Sequence, residues 1–420
     1  MPAPLTSPIK APEGTEQPAA RGGASDPGRR FALPLDPLLT LAVVGLGIAS
    51  AMTLGTATRE AVAGDPSYYV TRQVVYLAIG LILMVVLARV DYARLRPLKN
   101  GIYALLILSI LAVLGLGHEA KGATRAISLP FFSFQASELG KVLLILALAT
   151  LIVDRARRLR ERDTTVRVML AALVPAMLVI AQPDLGSGMV YMAVAFVMLL
   201  VAGAPWQQLG GLVALVCVSV AVVLVAAPAL GVHVLKPYQA ERLTAFLHPS
   251  SNFAEIKEKE SKTGEPDPRY QLAQSKIAIG SGQKTGRGSA DSTQLTGNYL
   301  PEDDTDFVFA AVGEQYGFLG AGLVLCLYGL LIWRTLRILV MSKDLFGSLV
   351  AGGVAAMLMF QVFVNVGMTI GIMPITGVTL PLMSYGGSSV ITTLLAVGLL
   401  QSIYVQARDS ASLKGRVPIY

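Results

Sequence analysis

Apolar runs without charge set the pattern of this chain. They lie at approximately 37–57, 73–90, 101–117, 138–153, 168–182, 187–204, 209–230, 307–333, 345–370 and 378–405. Most are of roughly the length needed to cross a hydrocarbon core of about 30 Å. They lack the alternation of barrel strands, and lipid leaves no partner for an open backbone, so each run predicts a helix. The expectation is an all-α membrane protein of about ten transmembrane helices. One large extracytoplasmic loop, at about 231–305, separates the seventh helix from the eighth. The fourth run is short and opens on Glu138 and Lys141, and the eighth is long and contains Glu314.

Composition sharpens this reading. The chain is 54% apolar and 15% charged, well below the ~25% charged share of soluble domains, which excludes an ordinary soluble fold. Residues 1–33 are rich in Pro, Ala and Gly with no apolar period and predict a disordered tail. No apolar stretch there precedes a small-residue cleavage site, so the first span is expected to be retained. A membrane domain is expected over 34–407 and a second tail over 408–420. Twenty Lys and Arg fall in the two tails and in the loops at 89–99, 155–167 and 334–343. The opposite short loops hold four: Arg59, Arg72, Lys121 and Arg125. The positive-inside rule then puts both termini in the cytoplasm. The net charge of +7 is explained by basic loops facing anionic lipid, and nucleic acid is not expected. Cys217 and Cys326 each sit in an apolar run and read as small packing residues. His118, His233 and His248 share no ligand spacing with them, so no zinc site is legible.

Within the long loop, Ser250 to Arg269 is rich in Lys, Glu and Ser and reads as mobile, whereas YQLAQSKIAIG (Tyr270 to Gly280) predicts a short amphipathic helix. GSGQKTGRG (Gly280 to Gly288) imitates a phosphate loop without its spacing and reads as a flexible turn. No internal repeat is evident, which weakens a transporter built from duplicated halves. The costly residues gather near the predicted outer ends of spans or in outer loops: Arg72, Lys121, Arg125, Glu138, Lys141, Gln182, Asp184, Arg242, Lys276, Asp306 and Glu314. Glu138 and Lys141 are three apart and share a helix face, where they can neutralise one another. Asp303, Asp304 and Asp306 crowd the start of the eighth span. Helix capping is one account of them. Mutual repulsion that raises one carboxylate to the range of a general base is another, and a divalent cation such as Mg or Mn is a third. Glu314 would lie about 12 Å further along the helix on a similar face. MPITGVTLPLMSYGGSSV (Met373 to Val390) is packed with helix breakers, which survive in lipid only against protein or a water-filled cavity. It predicts a site wall.

At these residues the chain resembles the SEDS family (RodA and FtsW) of shape, elongation, division and sporulation proteins. KGATRAISL with FQASELGK, AQPDLGS, YQLAQSKIAIGSG, YLPEDDTDFVFAAVGEQYGFLG and GVTLPLMSYGGSS carry the resemblance, which covers nearly everything after residue 35. It implies a peptidoglycan glycosyltransferase that polymerises lipid II, a disaccharide-peptide on undecaprenyl diphosphate, at the outer membrane face. It makes Asp306 the general base. Lys121, Arg125 and Lys141 are implied as cations for the departing diphosphate, and Arg72, Glu138, Asp184, Lys276 and Glu314 as substrate-binding positions. A class B penicillin-binding protein is the implied partner. The chain departs from the family at Ala126, where relatives usually carry Trp, and at Ala136, where they carry Pro. The ending LLAVGLLQSI leans toward the elongation type. A flippase for lipid-linked precursors is the main rival reading, and it should need charges along the full membrane depth. A scaffold that only docks partners leaves the acidic cluster unexplained.

Overall fold

The computed structural model describes residues 35–58, 65–117, 126–128, 132–222, 242, 246, 268–288, 291–297, 299–300, 302 and 304–413. The described elements are mostly helical: α1 (Pro37–Ala57), α2 (Tyr68–Arg89), α3 (Lys99–Leu116), α4 (Ala136–Asp154), α5 (Arg162–Ala181), α6 (Leu185–Ala202), α7 (Trp206–Ala221), α8 (Pro268–Ser281), α9 (Thr293–Thr296), α10 (Val308–Met341), α11 (Leu345–Ile370) and α12 (Gly387–Leu413).

 A 3₁₀ turn, Tyr92–Leu98, leads into α3, and a two-residue pair of strands, β1 (Ile127–Ser128) and β2 (Ser133–Phe134), runs antiparallel just before α4. Among the described residues nine helices are long and apolar enough to cross a membrane, and all but α7, α8 and α9 qualify. The sixteen-residue α7 matches the seventh predicted span, of which 223–230 lie outside the described residues. So do the predicted tail at 1–33, most of the outer loop, and the last residues of the predicted C-terminal tail.

The polar ends of the helices are set by local chemistry. Asp36 caps α1 by accepting from the backbone N–H groups of Leu38 (3.1 Å) and Leu39 (3.0 Å), with Pro37 at the first helical position. Asp344 caps α11 through the N–H of Gly347 (2.7 Å). α2 lies along α12, α1 along α10, and α3 against α4, while α5 and α11 pack on α6. The most enclosed spans are α4, α11 and α12, and α2 and α3 turn most of their surface outward. Leu144, Ile145 and Leu148 of α4, Val194 and Met198 of α6, and Val350, Val354 and Met357 of α11 build the centre of the core. At the end of the bundle that carries the basic loops, charges are held sideways in pairs. Arg96 (3.2 Å) and Lys99 bond Asp154, and Arg155 (3.3 Å) and Arg167 (2.9 Å) bond Asp163.

Three boundaries differ from the sequence reading. The last helix begins at Gly387, not at 378, because Gly377 (φ 71) and Leu382 (φ 66) take left-handed conformations around Pro381. Its other end runs to Leu413, into the segment expected to be a tail. The long α10 is broken at Gly317 (φ 63, ψ −161). The segment expected to be a flexible turn repairs that break. The N–H groups of Arg287 and Gly288 donate to the carbonyls of Glu314 (2.9 Å) and Gln315 (3.0 Å), while Phe318 and Leu319 donate to Gln283 (2.9 Å) and Lys284 (3.1 Å). A Cβ on Gly286 or Gly317 would collide with the facing backbone. The glycines there serve close packing of two backbones.

The buried pair Asp36–Arg334 (2.9 Å to Nε) ties α1 to α10, and the Asp36 N–H donates to Gln401 of α12 (2.8 Å). Asp36 is fully enclosed. Asp36→Ala therefore strands a guanidinium and is expected to cost roughly 3–5 kcal/mol. A lowered thermal unfolding midpoint in detergent micelles checks this, and an unchanged midpoint contradicts it.

Candidate active site

Asp306 sits in the turn that enters α10. The N–H of Phe307 donates to the Glu302 carbonyl (3.0 Å), and the Thr305 hydroxyl donates to the Glu302 carboxylate (3.0 Å). Phe307, one residue past Asp306, occupies the cap position of α10, and its side chain makes no capping hydrogen bond. Asp303 lies outside the described residues.

The turn is gripped by the non-helical segment between α11 and α12. Asn365, one turn and a residue from the end of α11, donates from a single amide nitrogen to the carbonyls of Asp306 (2.8 Å) and Val378 (2.7 Å). Ser384 donates to the Thr305 carbonyl while accepting from the N–H of Leu380 (2.8 Å). The N–H of Tyr385 donates to the Asp304 carbonyl (2.7 Å). From behind, Gln73 of α2 reaches Ser50 (3.0 Å) and the Ser384 carbonyl (3.3 Å). The predicted site wall is thus the surface against which Asp306 is set. Beside it, Leu272 and Ala278 of α8 pack with Leu300, Phe307, Ala310 and Ile375 in a small apolar cluster of their own.

Other expected residues join this wall. The Arg72 guanidinium lies 4.4 Å above the Tyr68 ring and also bonds Tyr385. Burial, followed by the neighbouring Tyr76, pushes the Tyr385 phenol well above the usual tyrosine range, so it stays protonated. Asp184 caps α6 through the N–H of Ser187 (3.0 Å) and accepts from Ser137 (2.8 Å) at the start of α4. Gly186, two residues on, abuts the Thr376 carbonyl and Val378. Ser388 joins α12 to the strand pair, accepting from the N–H of Gln135 (2.9 Å) and donating to the Ser133 carbonyl (2.7 Å).

The model of the cell cycle protein family of FtsW, RodA and SpoVE matches residues 35–409. The chain belongs to that family. A probable peptidoglycan glycosyltransferase FtsW of Thioalkalivibrio sulfidiphilus is 36% identical, covering 92% of this chain and 94% of the relative. The peptidoglycan glycosyltransferase MrdB of Escherichia coli is 35% identical, covering 89% and 94%. Among solved structures, a chain of a peptidoglycan synthase complex that coordinates polymerization and crosslinking superposes with a TM-score of 0.72. It is 33% identical and covers 90% of this chain and 99% of its own. The all-α multi-pass membrane fold and the peptidoglycan glycosyltransferase class expected from sequence follow.

Four expected positions of this FtsW/RodA/SpoVE member are engaged by neighbouring groups of the protein, and the first two pair as their spacing predicts. Glu138 and Lys141 bond each other at 2.7 Å and are almost fully buried, so they form an enclosed pair within α4. Glu314 is fully enclosed, and its carboxylate accepts from the N–H of Gln294 (2.9 Å) at the start of α9. It braces the element at Thr293–Thr296. Lys276 lies across Gly371 at the end of α11, where a cation complements the helix C-terminus. Neighbouring Ser275 donates to the Thr369 carbonyl (2.8 Å). Lys121 and Arg125 lie outside the described residues. Among the described residues no group of three or more His, Cys, Asp or Glu is placed to hold a metal ion.

Asn365 was missed by sequence reasoning, although an amide within an apolar run is a signal in itself. Asn365→Leu removes both of its bonds and strands two carbonyls. The variant is expected to lose about tenfold to a hundredfold in glycosyltransferase activity, measured on protein that still purifies as a single species. Full activity would show that the grip on Asp306 is dispensable.

Proposed function

We propose that the protein polymerises lipid II into glycan strands at the outer face of the cytoplasmic membrane, with Asp306 as general base. In this step Asp306 takes the proton of the acceptor sugar hydroxyl, and that oxygen bonds the donor's anomeric carbon. The bond from that carbon to the lipid diphosphate breaks, and the diphosphate leaves with the electron pair. Lys121 and Arg125 are assigned to the departing diphosphate, which fixed cations stabilise. Arg72 and Asp184 are assigned to the substrate's polar head. The observation that carries the reading is the grip on the Asp306 turn: its backbone carbonyls accept hydrogen bonds from Asn365 of α11 and from Ser384 and Tyr385 of the segment between α11 and α12.

The distribution of basic loops supports both termini in the cytoplasm and the large loop outside. A class B penicillin-binding protein is the assigned partner, since a similar chain is part of a peptidoglycan synthase complex. The ending LLAVGLLQSI supports a role in elongation, while relatives of both FtsW and MrdB type match at nearly equal identity. A flippase is disfavoured because it should need charges along the full membrane depth, whereas Arg96, Arg155 and Arg334 are held in ion pairs at the basic-loop end.

Purified protein with its transpeptidase should polymerise lipid II, and Asp306→Asn should lower the rate by about 10²–10⁴-fold with expression and folding intact. Full polymerisation by the Asn variant removes the general-base assignment. Lipid II translocation in sealed vesicles without polymerisation would favour the flippase.

A further inference from the structure

We propose that Arg242 is a positioning residue for Asp306, fixing the orientation of its carboxylate toward the acceptor hydroxyl. This deepens the Asp306 reading and rests on it. Gly377 supplies the geometry. Its left-handed backbone (φ 71) carries no side chain, and a Cβ there would lie 3.2 Å from Oδ2 of Asp306 and 3.4 Å from Nη1 of Arg242. The two charged termini therefore converge on one small space that glycine keeps open.

The division of labour follows from what holds each part of Asp306. Asn365 and Ser384 hold its turn through backbone carbonyls, and backbone bonds do not by themselves orient the carboxylate about χ1 and χ2. Arg242 comes to the carboxylate end from a different part of the chain, the segment between α7 and α8. A guanidinium suits this task because it is planar, permanently charged and bonds a carboxylate in a fixed orientation. Lysine would keep the charge and lose the fork. A side chain at Gly377 would wedge the pair apart.

The test uses the full chain with its transpeptidase partner, measuring kcat and KM for lipid II. Arg242→Ala should lower kcat by about a hundredfold while KM stays within about twofold. Arg242→Lys should recover part of the loss, and millimolar guanidinium ion should raise the rate of Arg242→Ala but not that of Asp306→Asn. Gly377→Ala should lower kcat in the same manner. Thermal unfolding reports folding, and if Arg242→Ala does not fold, Arg242→Ser is read by the same criteria. Unchanged kcat, a rise in KM alone, or a loss that neither Lys nor guanidinium relieves overturns the assignment. If Asp306→Asn is inactive in the same assay, that failure belongs to Arg242 alone. An active Asp306→Asn instead sinks the general-base reading beneath it.

Discussion

Unwound backbone at the end of a membrane bundle has to be satisfied by protein, because lipid offers no hydrogen bonds. The arrangement around Asp306 follows from that constraint. Between α11 and α12 the chain runs without helix from Gly371 to Gly386, and its polar groups are met by side chains sent from several helices. Asn365 serves Val378, Ser384 serves Leu380, and Gln73 serves the carbonyl of Ser384. Asn365 and Ser384 also reach the turn before α10. Satisfying the break and fixing the reactive turn are one set of hydrogen bonds.

The second break obeys the same rule by another route. At Gly317 the helix ladder of α10 is interrupted, and the facing backbone of residues 283–288 supplies the missing partners. This fastens the outer loop to the helix that carries Asp306 at its start. Gln315 adds a bond to the Thr53 carbonyl of α1 (3.1 Å), so the outer part of α10 is held on two sides. A rigid support of this kind suits a base that must meet an acceptor hydroxyl within hydrogen-bond reach.

Most of the fold was legible because apolar runs of spanning length admit few alternatives. Nine of the ten expected spans appear as helices of spanning length, and the seventh as the shorter α7. The start of the last helix was not legible, since Gly, Pro and Ser are common inside membrane helices and only the structure fixes where the ladder resumes. Asp306 stood out through crowded carboxylates and a family motif. The role of Glu314 did not, because its partner Gln294 lies twenty residues upstream on an element of four residues. Asn365 and Arg242 show the general limit. A polar residue's presence can be read from sequence, and its partner, set by tertiary packing, cannot.

The most direct measurement is hydrogen exchange of the segment between α11 and α12 in lipid nanodiscs. If buried side chains satisfy this backbone, the amides of Leu380, Ser384 and Tyr385 should exchange as slowly as those of the flanking helices. Exchange at the rate of an open loop would contradict the account, since Asp306 would then rest on a support that is not there.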